Sequence, residues 1–183
     1  MKSRKKKKNI LIGICGGISS YKTCELVRLL VKDGSSVKVM MTKAATKFVS
    51  PLVFGNLSKN PVYLDMFSLV KDEDIKHISL AQWADSCVLA PLSANTLSKI
   101  ASGICDNLLT TVVCALSQKT KVLLAPAMNE CMWINPIIQG NLKKIASLKQ
   151  YKILSPEKGE LACGLYGQGR MAEPQKIWKS ISA

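Results

Sequence analysis

The chain contains a single histidine, His77, and no Cys-x-x-Cys pair. A structural zinc site draws its ligands from closely spaced cysteines and histidines, so this composition argues against one. Acidic residues are scarce, 12 against 26 Lys and Arg, and the formal net charge is +14. No apolar run approaches the ~18–20 residues that span a bilayer. The run at residues 10–15 is too short for a secretion signal and leads straight into Gly16 and Gly17. The dinucleotide fingerprint GxGxxG and the Walker GK[ST] are both missing. No repeat or low-complexity linker divides the chain. These absences predict a cytoplasmic protein that neither spans nor anchors to a membrane.

What is present fits one domain. With 183 residues and 48% hydrophobic content, the chain can bury a substantial core. Lys2, Arg4, Lys5, Lys6, Lys7 and Lys8 concentrate positive charge at the N-terminus. Such a run repels itself and resists packing, so residues 1–8 are expected to be a disordered tail and 9–183 a single domain. No recognised nucleic-acid motif follows the tail, so no specific nucleic-acid role is expected. The remaining surplus of positive charge suits an anionic ligand. Cysteines number seven, and Cys15, Cys87 and Cys114 lie in apolar runs where a reduced thiol acts as a small hydrophobe. A disulfide framework is not expected.

Short apolar runs alternate with helix-like stretches, which predicts α/β architecture with a mainly parallel sheet. Strands are expected at 9–15, 37–41, 61–64, 86–90, 121–125 and 151–154, with Pro91 ending the fourth. Helices are expected between and after them. Residues 155–172 are glycine-rich and read as one long irregular loop, a feature that is usually functional.

Ligands bind beyond the carboxyl ends of parallel strands, so the strand ends carry the argument. After the first strand, Gly16, Gly17, Ser19 and Ser20 precede a helix. They form either a phosphate cradle or a tight turn capped by serine. Thr42 follows the second strand and could cap a helical stretch at 44–48. Ser93, Ala94, Asn95 and Thr96 follow the fourth strand. Pro126, Ala127, Met128 and Asn129 follow the fifth, where Asn129 is either a helix cap or a ligand contact walled by Met128, Met132 and Trp133. His77, at the start of a helix, is either an acid–base group or a surface residue. Cys163, flanked by glycine, is either a thiol on a mobile flap or an unremarkable loop residue.

The motifs Gly16-Gly17-Ile18-Ser19-Ser20, Pro91-Leu92-Ser93-Ala94-Asn95-Thr96, Asp106-Asn107-Leu108-Leu109, Pro126-Ala127-Met128-Asn129-Glu130-Cys131-Met132-Trp133 and Leu161-Ala162-Cys163-Gly164 together resemble the homo-oligomeric flavin-containing cysteine decarboxylases. The resemblance runs from Asn9 to about Pro174. It implies a three-layer α/β/α, Rossmann-like fold with a six-stranded parallel sheet, bound FMN, and a homotrimer or a trimer-based dodecamer. It implies an FMN-dependent carboxy-lyase that converts 4′-phospho-N-pantothenoylcysteine to 4′-phosphopantetheine in coenzyme A synthesis, through thioaldehyde and ene-thiolate intermediates. Gly17, Ile18, Ser19, Thr42, Lys43, Ala44, Ser93, Ala94, Asn95, Thr96 and Ala127 would hold FMN. Asn129, Ala162, Gly164 and Met171 would bind substrate, with His77 as base and Cys163 as proton donor. Ala44 stands where many relatives carry serine, which removes one phosphate hydrogen bond. A C-terminal ligase domain found in many bacterial relatives is missing, so a separate ligase is expected. A peptidyl-cysteine decarboxylase, a flavin prenyltransferase and a non-catalytic flavin-binding regulatory subunit are the alternatives.

Overall fold

A computed structural model describes residues 8–67, 76–162 and 164–182. Most of the basic tail, residues 1–7, falls outside them. The chain runs through β1 (Asn9–Ile14), α1 (Ser20–Lys32), β2 (Ser36–Met41), α2 (Pro51–Ser58), β3 (Val62–Tyr63) and α3 (Lys76–Trp83). It continues through β4 (Ser86–Leu92), α4 (Ala94–Ser102), α5 (Leu108–Ala115), β5 (Lys121–Pro126), α6 (Glu130–Trp133), α7 (Pro136–Ala146) and β6 (Tyr151–Ile153). It closes with β7 (Glu157–Glu160), β8 (Tyr166–Arg170) and α8 (Pro174–Ser182).

Six strands make one sheet in the order β3-β2-β1-β4-β5-β6, and every pairing is parallel. Successive side chains on a strand point to opposite faces. In β1, Ile10, Ile12 and Ile14 therefore join one core while Leu11 joins the other. The first core takes Leu26 and Leu30 of α1, Phe54 of α2 and Ile177 of α8. The second takes Leu80 of α3, Leu97 of α4, Leu109 and Val112 of α5, and Leu142 of α7. Burial on both faces explains why the strands read as apolar runs rather than alternating ones. The fold is the three-layer α/β/α arrangement that the resemblance implies.

Local chemistry sets the helix boundaries. Ser50 caps α2 ahead of Pro51, Asn107 caps α5, and Asn135 caps α7 ahead of Pro136. Gly34, at φ +88°, releases the chain from α1 in a left-handed conformation that a side chain would strain.

Two expectations are corrected. β4 does not end at Pro91 but runs on to Leu92, across a register shift between Leu89 and Leu92. At such an irregularity the missing N–H of proline costs the ladder little. Residues 155–172 are not one irregular loop, because β7 and β8 pair there as an antiparallel hairpin. Among the described residues, no helix is long and apolar enough to cross a membrane.

β1 and β4 are neighbours, yet the chain leaves them in opposite directions, to β2 and to β5. The connections that leave their carboxyl ends therefore diverge and leave an opening, the topological switch point of an open α/β sheet.

Candidate active site

At that switch point lies a crevice of about 990 Å³. Four strand ends and the β7–β8 hairpin build it. After β1, Gly16 packs so tightly that an added Cβ would lie 2.6 Å from the Ala44 Cβ. Gly17 lines the crevice with open space where its Cβ would be. Ser19 also lines it, and its side chain makes no capping bond to α1. Ser20 instead points inward, its hydroxyl 2.7 Å from the Gly17 carbonyl and 3.0 Å from that of Cys15. It shapes the loop rather than facing a ligand, so of its two readings Ser20 belongs to the tight turn.

After β2, the Thr42 hydroxyl accepts the Ala45 N–H at 3.2 Å and so steadies the approach to the short 3-10 turn at Ala45–Lys47, whose N-cap position is Ala44. Lys43 and Ala44 are exposed to the crevice. After β4, Ser93 caps α4 by accepting the Thr96 N–H at 3.3 Å. Beneath both lies the Cys15 thiol, which burial pushes up despite its contacts with Thr96 and Ser93. After β5, the Ala127 N–H donates to the Leu92 carbonyl at 3.0 Å, which aligns the last two strand ends.

Asn129 is a helix cap that also stands at the crevice. Its Oδ1 accepts the Cys131 N–H at 2.8 Å and so caps α6, and the residue also lines the crevice. Met128 and Met132 wall the crevice as expected, but Trp133 packs against the second core. The hairpin docks here. The Met128 N–H donates to the Gly169 carbonyl at 3.1 Å, and the Gln168 N–H donates to Glu130 Oε1 at 3.0 Å. A Cβ at Gly169 would collide with the Met128 carbonyl oxygen, so only glycine permits this approach. The hairpin lays Leu161, Ala162 and Arg170 along the crevice.

All eleven residues expected at the flavin line this one crevice, as do Asn129 and Ala162. The others lie elsewhere. Met171 is fully buried in the first core. Gly164 is exposed at the hairpin turn, donating its N–H to the Leu161 carbonyl at 2.9 Å. His77 is half-buried at the start of α3 and does not line the crevice of its own chain. Cys163 is outside the described residues.

A model of the flavoprotein family matches residues 1–183. The chain belongs to the flavoprotein family. Within the family it is 46% identical over 176 residues to the coenzyme A biosynthesis bifunctional protein CoaBC of Borreliella burgdorferi, covering 96% of this chain and 44% of that relative. It thus spans less than half the length of the bifunctional relatives it matches. It is 44% identical to the probable phosphopantothenoylcysteine decarboxylase of Streptococcus mutans, covering 95% of this chain and 97% of that one. Among solved structures, a mutant PPC decarboxylase complexed with pantothenoylaminoethenethiol superposes with a TM-score of 0.86 at 36% identity, covering 97% of each chain. The FMN binding protein AtHal3 superposes at 0.83 with 35% identity, covering 97% of this chain and 96% of that one.

The flavoprotein's crevice also holds residues to which sequence reasoning gave no role. Lys22 and Lys99 line it, paired with Glu173 and Asp106 respectively. The hydrogen bond from Lys99 holds the Asp106 carboxyl below the usual carboxylate range. Asn107 and Arg170 line it too, as do Tyr21 and Glu160. The motif containing Asp106 and Asn107 was visible, but only folding shows that it and Arg170 meet the strand ends. Among the described residues, no cluster of three or more His, Cys, Asp and Glu could hold a metal ion.

Proposed function

We propose that this chain is an FMN-dependent phosphopantothenoylcysteine decarboxylase, acting on 4′-phospho-N-pantothenoylcysteine. The observation that carries the reading is the convergence of the strand-end segments at Gly17, Thr42, Ser93 and Ala127, with Asn129 beside them, on one crevice. The crevice fits a flavin mononucleotide. Gly17 leaves its backbone open, Ser19 is not spent on capping α1, and α1 and α4 both begin at the crevice rim. Helix N-termini favour phosphate, and Lys43 adds positive charge there.

Bound FMN would supply the two-electron oxidation and later reduction of the substrate's thiol-bearing carbon. The chain's own residues do the remaining work. Asn129 is fixed by its capping bond to the Cys131 N–H and would orient the substrate carboxylate. Met128 and Met132 would exclude water around the departing carbon dioxide. Cys163 would deliver a proton to the carbon left behind. Ala162 would contact the substrate, whereas Gly164 and Met171 would act indirectly, from the hairpin turn and from the core beneath the hairpin.

His77 would act as base from a neighbouring subunit of a homotrimer or of a trimer-based dodecamer. No imidazole lines the crevice among the described residues, and His77 heads α3 beside the exposed Ile78. Leu52, Leu64 and Phe67 are likewise exposed, as apolar side chains at an interface would be. An amide-forming ligase must supply the substrate, whose cysteine is joined through an amide. A cytoplasmic setting fits coenzyme A biosynthesis, for which the relatives are named.

The test offers the FMN-loaded protein 4′-phospho-N-pantothenoylcysteine and follows product by mass spectrometry. Formation of 4′-phosphopantetheine with carbon dioxide is expected. A protein that cannot be loaded with FMN, or that decarboxylates only C-terminal cysteine peptides, overturns the reading.

A further inference from the structure

Cys105 and Cys114 lie outside the crevice, yet both border one small hollow. α5 pairs each N–H with the carbonyl four residues back, so Cys114 bonds to the Thr110 carbonyl. The Cys105 sulfur approaches that same carbonyl at 3.9 Å, from the loop that enters the helix. A helical Cβ leans toward the N-terminus, which carries the Cys114 sulfur back over the turn of Thr110. Both side chains therefore meet at the Thr110 turn, on the wall of one hollow. They share the wall of a separate hollow of about 150 Å³ with Tyr151, and both residues are exposed. The loop itself is fastened, since the Thr111 hydroxyl donates to the Cys105 carbonyl at 3.1 Å. Partial desolvation, and then the Cys114 thiol, hold the Cys105 thiol above its ordinary range even though the residue is exposed overall.

We propose that Cys105 and Cys114 form an oxidisable dithiol, which a low-molecular-weight disulfide closes into an intramolecular disulfide. One protein thiolate attacks the small disulfide, forming a mixed disulfide and releasing one small thiol. The second protein thiolate then displaces the other half. Two protein thiols are oxidised, one small disulfide is reduced to two thiols, and the two protein protons leave with them. The bond would tie the back of the loop to α5. Asp106 and Asn107, next in the chain, are the residues this loop presents to the crevice.

Oxidised glutathione is the probe. The tryptic peptide 100–119 contains both cysteines and no others. After treatment of the full chain, this peptide is expected to lose two hydrogens and resist alkylation, and dithiothreitol should restore two alkylatable thiols. In C114S, Cys105 should instead retain one glutathione. The exposed Cys131 serves as the internal control for reactivity. A wild-type peptide that carries two glutathiones, or that keeps two free thiols once Cys131 has reacted, overturns the proposal.

Discussion

Single residues separate packing from binding. Gly16 and Gly17 are adjacent, yet an added methyl meets Ala44 at the first and open space at the second. G16A should lower the melting temperature, whereas G17A should leave it within a degree or so and weaken FMN binding at least about tenfold, read by flavin fluorescence titration. Asn129 is separable in the same way. An aspartate keeps the acceptor that caps α6, and loss of a cap costs about 1 kcal/mol. N129D should therefore melt like the parent while turnover falls roughly a hundredfold, because a second negative charge faces the substrate carboxylate. Asp106 provides a pH test. Its folded-state value lies below the unfolded one, owing to the hydrogen bond from Lys99. The pair's contribution is then complete above the ordinary carboxylate range and lost as pH falls through the folded value. The difference in melting temperature between D106N and the parent should shrink on acidification, and a constant difference would contradict this.

At the scale of elements, the hairpin decides how the site is closed. Glu130 accepts the Gln168 N–H, and a Cβ on Gly167 would strike its carboxylate, so β8 is seated on α6. E130A should loosen the hairpin and hasten proteolysis within residues 160–166, while E130Q, which retains a carbonyl acceptor, should restore protection. Equal cleavage of the two variants would refute the latch. This element was also the least legible in the sequence. Glu157-Lys158-Gly159-Glu160 and Tyr166-Gly167-Gln168-Gly169-Arg170 lack β-branched residues and apolar alternation. Their pairing depends on the backbone of Met128 and the side chain of Glu130, which no local pattern reveals. β1, β2, β4 and β5 were legible for the opposite reason, because burial on both faces demands continuous apolar runs. The crevice-lining Ser19, Thr42, Ser93, Asn95 and Thr96 were legible as small polar groups at strand ends, whereas Ile18, Lys43 and Ala127 came only from the resemblance. The lysines of α1 and α4 were not, since a charged residue on a helix face reads as solvated surface.

For the whole molecule, the proposed homotrimer carries a cost and a test. Phe67 is 82% exposed and Leu52 73%, an unfavourable display for a lone subunit. F67D should shift the mass in solution, measured by light scattering, toward the monomer. Activity should fall with it, because His77 would no longer reach a neighbouring crevice. A fully active monomer would return the base to its own chain.

The crevice joins Gly16 near one end of the chain to Arg170 near the other. Synthesis proceeds from the N-terminus, so a nascent chain holds every strand-end segment before it holds the hairpin. If FMN binds as proposed, the residues that hold it are all made before the hairpin, so the chain would take up flavin first and close over it afterwards.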